Sequence, residues 1–156
     1  MELAIRTATV ADAPRLGEMN RHLCDDERSR NRMSVAALVV RMERLLSEGW
    51  RAVLFQEQSN PIGYSLFRIG SDDYDPAIPE VYIRQFFIVR ERRSRGVGRQ
   101  AFTLLTTTVF PPGSQIHLDV LATNPRGRLF WESVGFQHYS TALRLIPRKS
   151  TASEGE

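Results

Sequence analysis

Apolar positions along the 156-residue chain follow two rhythms, one of period two and one near 3.6. Leu3–Ala8 alternates enough to predict a first strand. Thr9, with Asp12 three residues on, resembles a capping box, and Leu16, Met19 and Leu23 then mark the buried stripe of a first helix. The run Asp25-Asp26-Glu27-Arg28-Ser29-Arg30-Asn31-Arg32 breaks the pattern and reads as an exposed connection. Ser34 can cap a second helix, with Leu38, Val39, Met42, Leu45 and Leu46 on one face and Gly49 as its stop. Arg51–Gln56 and Ile62–Ile69 alternate as strands around a turn at Gln58–Pro61. Gly70–Pro79 carries Asp72, Asp73 and Asp75 and has no periodicity.

The centre of the chain changes character abruptly. Val81, Tyr82, Ile83, Phe86, Phe87, Ile88 and Val89 are β-branched or aromatic, which is strand chemistry. They give way to Arg90-Glu91-Arg92-Arg93-Ser94-Arg95, then to Gly96-Val97-Gly98, then to a helical spacing of apolar residues that runs from Arg99 to about Val109. Phe110–Ser114 is a breaker and Gln115–Leu121 another strand. Asn124-Pro125 opens a short helix, Arg126–Val134, which Gly135 closes. Phe136–Pro147 alternates again and predicts a final strand; residues 148–156 read as a polar, disordered tail after a single domain over 1–147. The order is β-α-α-β-β-β-α-β-α-β. Strands without helices between them predict antiparallel pairing, and the β-α-β step around Gly96 predicts a parallel pair. The fold class is therefore α/β, a mixed and mostly antiparallel central sheet flanked by helices.

Composition narrows the function classes. With 42% hydrophobic and 25% charged residues the chain has the make-up of a globular domain, long enough to bury a core without disulfides or metals. Cys24 is its one cysteine, which points to a reducing, cytoplasmic setting. The N-terminal residues lack the charged start and apolar run of a signal peptide, and no window predicts a membrane span. Net charge is only +3, yet Arg84, Arg90, Arg92, Arg93, Arg95 and Arg99 fall within sixteen residues. No aromatic residue interleaves the basic loop, so its pattern points away from nucleic acid.

A strand, a loop of arginines and glycines, and a helix start together suit a phosphate-bearing ligand. Glycines let backbone N–H groups approach an anion, and a helix N-terminus adds unpaired donors with a partial positive charge. Gly96-Val97-Gly98-Arg99-Gln100-Ala101 also fits the dinucleotide pattern G-x-G-x-x-A, with Asp119 twenty-one residues after Gly98. Context argues against that reading. Six loop residues separate Val89 from the first glycine, no β-α-β units precede it, and only thirty-seven residues follow Asp119.

Arg93-Ser94-Arg95-Gly96-Val97-Gly98 resembles the R/Q-x-x-G-x-G/A loop of the GNAT N-acetyltransferases, and Phe86-Phe87-Ile88 is similar to the family's strand leading into it. Asn124, with Phe130-Trp131-Glu132-Ser133-Val134-Gly135-Phe136, resembles the family's N…F-Y-E-x-x-G-F ending. The resemblance spans nearly the whole chain, Leu3 to Ile146. It implies a GNAT-like fold with a splayed parallel strand pair, and transfer of an acetyl group from acetyl-CoA to a primary amine by direct attack on the thioester. By the same resemblance Phe86, Phe87 and Ile88 offer backbone groups to the pantetheine arm. The diphosphate belongs on amides around Arg95–Arg99, with Arg93 and Arg95 balancing its charge; Ser94, Gly96, Val97 and Gly98 belong to the same cofactor-binding loop, and Asn124 and Trp131 lie against the cofactor. Homodimers are common among proteins of this type.

Two positions depart from or refine the pattern. Trp131 stands where many members carry the tyrosine that protonates the leaving thiolate, and an indole N–H is no acid at useful pH. Tyr139 and Tyr82 are the substitute candidates, and without one the thiolate leaves unassisted. A catalytically weak acyl-CoA-binding or regulatory protein is the alternative reading. Asp119 lies five residues before Asn124, where relatives that acetylate protein N-termini carry a glutamate, and is the candidate general base. Asp26, Glu27 and Tyr82 are candidates for the acceptor side, the carboxylates drawing in a cationic amine. His117 and Asp119 lack a third partner for a metal site, and none is assigned.

Overall fold

In the computed structural model, which describes residues 2–148, five strands lie side by side in chain order. They are β1 (Leu3–Thr7), β2 (Arg51–Glu57), β3 (Asn60–Ser71), β4 (Pro79–Ile88) and β5 (Gln115–His117). The first four pair antiparallel, and β5 joins β4 in parallel. Helices α1 (Ala13–Asp26) and α2 (Val35–Ser47) cover one face; α3 (Val97–Leu104) and α4 (Pro125–Ser133) cover the other. The two cores follow from strand alternation. Leu54, Tyr64, Leu66 and Phe87 pack with Leu16, Met19 and Met42, whereas Val53, Phe55, Phe67 and Ile83 pack with Ala101 and Leu105.

Local chemistry sets most boundaries where the sequence predicts them. The Thr9 N–H donates to Asp12 at 2.8 Å, and Asp12 also receives both ends of the Arg6 guanidinium. Ser34 Oγ accepts from the Ala37 N–H and caps α2. Asn124 Oδ1 does the same for Gly127 and starts α4, with Pro125 at its first position. α3 passes at Leu105 into one wide π turn, Leu105–Val109. There three threonine hydroxyls donate to the Thr103 and Leu104 carbonyls and compete with the regular ladder.

Three expectations are corrected. α1 continues through Asp26, so Asp25 and Asp26 belong to a helix rather than to a loop. β5 stops at His117 instead of Leu121, because β4 and β5 diverge there. The final strand predicted over Phe136–Pro147 does not form: every residue from Gln137 to Arg148 is exposed, and Leu143 and Leu145 stand at 93%. Alternation marks a segment able to bury one face, and here no neighbouring strand of the same chain provides the ladder. The polar tail expected over 148–156 lies, beyond Arg148, outside the described residues.

Candidate active site

The site begins with an irregularity in β4. Leu66 pairs with Gln85 and Phe67 with Ile83, so Arg84 is an extra residue facing no partner on β3. Such a bulge bends the strand and re-aims its side chains. Arg84 and Gln85 consequently both lie toward α1 and α2: Arg84 sits over Trp50, and Gln85 Oε1 accepts from the Tyr64 hydroxyl at 2.8 Å. On its other edge β4 pairs with β5 only over Glu80–Tyr82. From Ile83 to Ile88 that edge has no strand beside it among the described residues. A cavity of about 110 Å³ opens in the gap, bordered by Glu27, Arg84, Phe86, Asp119, Asn124 and Trp131.

The backbone beyond β4 is shaped for an anion. After a single 3-10 turn at Arg90–Arg92 come two left-handed residues, Ser94 at φ 65° and Gly96 at φ 74°. Gly96 starts α3 with no side-chain cap, and the first helical bond runs from the Gln100 N–H to its carbonyl at 3.0 Å. The N–H groups of Val97, Gly98 and Arg99 are therefore without helical acceptors. Gly98 has a second duty, since a Cβ there would lie 3.1 Å from the Phe130 ring. α3 and α4 approach closely at that point, and the Arg99 guanidinium spans them by donating to the Ser133 carbonyl at 2.8 Å.

The arginines of the loop divide into two kinds. Arg93 is a strap: it donates to the Ile88 carbonyl and to Asp26, and its guanidinium lies 5.3 Å from the centre of the Phe87 ring. Arg90 also pairs with Asp26, and Arg92 with Glu57. Arg95 has no ion pair or hydrogen bond among the described residues and is exposed. Asp26 thus serves the loop, not an open acceptor surface. Burial alone would raise its pKa, but the hydrogen bonds from Arg90 and Arg93 outweigh that and hold the carboxyl below its usual range.

Around the cavity the polar groups form an ordered set. The Tyr82 hydroxyl donates to Asp119 Oδ2 at 2.7 Å, across the point where β4 and β5 part. Burial, then the bond to Asp119, pushes the Tyr82 phenol up to about 12, so it is a fixed donor and a poor acid. Its ring lies between Trp50 and His117, and His117 in turn sits 2.8 Å from Glu80. Glu27 borders the same cavity, its pKa raised by burial first and by Asp26 second. The Thr123 hydroxyl donates to the Glu27 carbonyl at 2.7 Å and ties the end of α1 to the start of α4.

The structure therefore brings together Glu27, Tyr82, Phe86, Asp119, Asn124 and Trp131, and leaves Tyr139 apart. Tyr139 is 93% exposed on the extended segment after α4 and borders no part of the cavity. Trp131 packs edge-on against Phe86, Phe102 and Phe136, which accounts for its large ring in packing terms alone. Phe87 and Ile88 are core by their side chains and can offer only backbone outward. Sequence reasoning missed Arg84. The signal for it is the bulge, which depends on the register between β3 and β4 and leaves no mark in the composition of either strand.

A model of the acetyltransferase (GNAT) family matches residues 19–136. In fold the chain is similar to "a possible acetyltransferase" from Clostridium difficile 630, with a TM-score of 0.74 and 13% identity over 95% of this chain and 99% of that one. It is similar also to a ribosomal-protein-alanine N-acetyltransferase from Brucella melitensis biovar Abortus 2308, with a TM-score of 0.71 and 13% identity over 93% and 99% of the two chains. A third similar structure is the aminoglycoside N-acetyltransferase AAC(6')-Iy in complex with CoA, with a TM-score of 0.71 and 16% identity over 94% and 95%. No curated protein matches the chain by sequence.

Proposed function

The chain belongs to the GNAT acetyltransferase family, and from that premise we propose that it transfers the acetyl group of acetyl-CoA to a primary amine by direct attack on the thioester. The observation that carries this reading is the β4 edge from Ile83 to Ile88, which no strand borders among the described residues and which leads to the left-handed Gly96 and the uncapped start of α3. Free backbone groups suit an amide-rich arm, and the α3 amides with the exposed Arg95 suit a diphosphate. Arg93 supports this cradle from behind through Asp26 and Ile88. Acetyl-CoA brings the activated acyl carbon.

The chain's own part is to hold the amine, take its proton and exclude water. Asp119 is assigned as the general base, and its Oδ2 is held in place by the Tyr82 hydroxyl. Glu27, on the same cavity, draws the ammonium form inward. No acid is assigned to the leaving thiolate. Tyr82 is held neutral and engaged with Asp119, and thiolates leave readily because their conjugate acids titrate near 8.5. The buried Cys24 thiol, raised by burial, plays no part in this scheme and suits a cytoplasmic protein.

Incubation with acetyl-CoA and a panel of primary amines, followed by free-thiol release and product mass, tests the reading. Acetylated amine with matching thiol release is the expected result. CoA binding with no thiol release for any amine would instead identify an acyl-CoA-binding or regulatory protein on this fold. Failure of millimolar CoA to raise the melting temperature would remove both readings.

A further inference from the structure

Arg84, the bulged residue of β4, carries information about the acceptor itself. Its guanidinium lies 4.9 Å from the centre of the Trp50 ring, and that of Arg68 lies 4.2 Å from the same ring. Trp50 is buried, so this pair of cations is fixed against one aromatic platform. Arg41 and Arg44 on α2 add positive charge around Arg84. Among the described residues no carboxylate comes within 4.0 Å of Arg84, Arg68 or Arg41, and Arg44 pairs with Glu48. Arg68 donates only to the Glu48 carbonyl and Arg41 only to the Met33 sulfur.

Arg84 and Arg41 are half-buried with no carboxylate within 4.0 Å among the described residues, and folding alone gives no reason to set them beside the exposed Arg68 and Arg44. Stacking on Trp50 supplies a surface for two of them but neutralises neither. The loop arginines behave differently, since Arg90, Arg92 and Arg93 each have a carboxylate partner. Arg84 is also the one arginine of this cluster that borders the cavity, and Glu27 and Asp119 border it too. The cavity is thus bipolar. Residues of both signs line it, Glu27 and Asp119 for a positive amine and Arg84 for a negative group, around a space of about 110 Å³.

We infer that the acceptor is a small amine bearing an oxyanion, a carboxylate or a phosphate, which Arg84 and the cations around Trp50 bind while Glu27 and Asp119 face the amine. This inference rests on the acetyl-transfer reading and adds the acceptor's charge to it. A guanidinium suits either oxyanion, because its paired N–H donors match two oxygens at once. A purely cationic polyamine is disfavoured by the same four arginines.

The test compares phosphoethanolamine with ethanolamine and β-alanine with β-alaninamide, on the CoA-saturated full-length protein and on its Arg84→Gln variant. Calorimetry with CoA bound gives affinity, and thiol release with acetyl-CoA in place of CoA gives kcat/KM. The oxyanion member of each pair is expected to bind about tenfold more tightly or better, the worth of one charge-assisted bond at about 1.4 kcal/mol per decade. Arg84→Gln is expected to erase that ratio while leaving CoA affinity, and hence the fold, unchanged. Phosphate and carboxylate are separated by which pair shows the larger ratio. Equal binding within both pairs, or a preference that survives Arg84→Gln, overturns the inference. Loss of CoA binding in the unaltered protein overturns the acetyl-transfer reading instead, and the affinity ratios measured without CoA then still decide the charge of the ligand.

Discussion

The Tyr82 hydroxyl and Asp119 Oδ2 meet at 2.7 Å just past the last paired residues of β4 and β5, so the point where the sheet opens is also where the candidate base is held. Tyr82→Phe removes the donor that holds this carboxylate in place and is expected to lower kcat about tenfold, the worth of one hydrogen bond, with CoA affinity unchanged. Steady-state kinetics beside CoA calorimetry reads both, and an unchanged kcat would detach the Tyr82–Asp119 pair from catalysis.

Asp119→Asn and Glu27→Gln separate two roles for the two carboxylates. A lost general base costs about 10²–10⁴-fold in rate. Asp119→Asn should therefore lower kcat within that range at little cost in KM. Glu27→Gln should raise KM for the amine while kcat falls little. Burial raises the Glu27 pKa, so its charge, and with it the low KM, is expected to fade at a higher pH than for an ordinary glutamate. Steady-state kinetics across pH 5–9 reads both effects.

Arg93 links the loop ahead of α3 to the end of α1 through Asp26. Both side chains are partly exposed, so screening holds the worth of the pair to about 1 kcal/mol. Arg93→Ala should lower the melting temperature accordingly and weaken CoA binding, because the loop loses its anchor on Ile88 as well. The folded pKa of Asp26 lies below its unfolded value, so the stability it contributes is present above the unfolded value and is lost as pH falls through the folded one. Acid titration of Asp26→Asn should lack that portion of the loss below about pH 4.

The two glycines of the loop should fail for different reasons. Gly96→Val places a branched residue at φ 74°, at a cost of about 1–2 kcal/mol. Gly98→Ala instead pushes a methyl toward Phe130 and should disturb the seat of α4. Gly96→Asn, which tolerates the left-handed region, should retain more stability than Gly96→Val, and CoA affinity should follow the same order. Thermal melts with and without CoA check both.

Helices α1, α2 and α4 were legible because their signals are local: Ser34 and Asn124 cap from within the sequence, and the apolar stripe of α1 recurs every three to four residues. The glycine loop was legible for the same reason, since positive φ at Gly96 is a demand on one residue. The engagement of Asp26 was not legible, because its partners, Arg90 and Arg93, lie sixty-four and sixty-seven residues away. The place of Tyr139 apart from the cavity was hidden in the same way, since among the described residues no strand pairs with its alternating segment.

By itself the sequence determined the order of the elements as far as α4, the turn into α3 and the family to which the chain belongs, all properties of residues close together in the chain. The tertiary structure alone decided where β4 parts from β5, which carboxylates face the gap and that Arg84 joins them. Those relations depend on strand register, where a shift of one residue carries a side chain to the opposite face, and register is fixed only when the two faces of the sheet are packed.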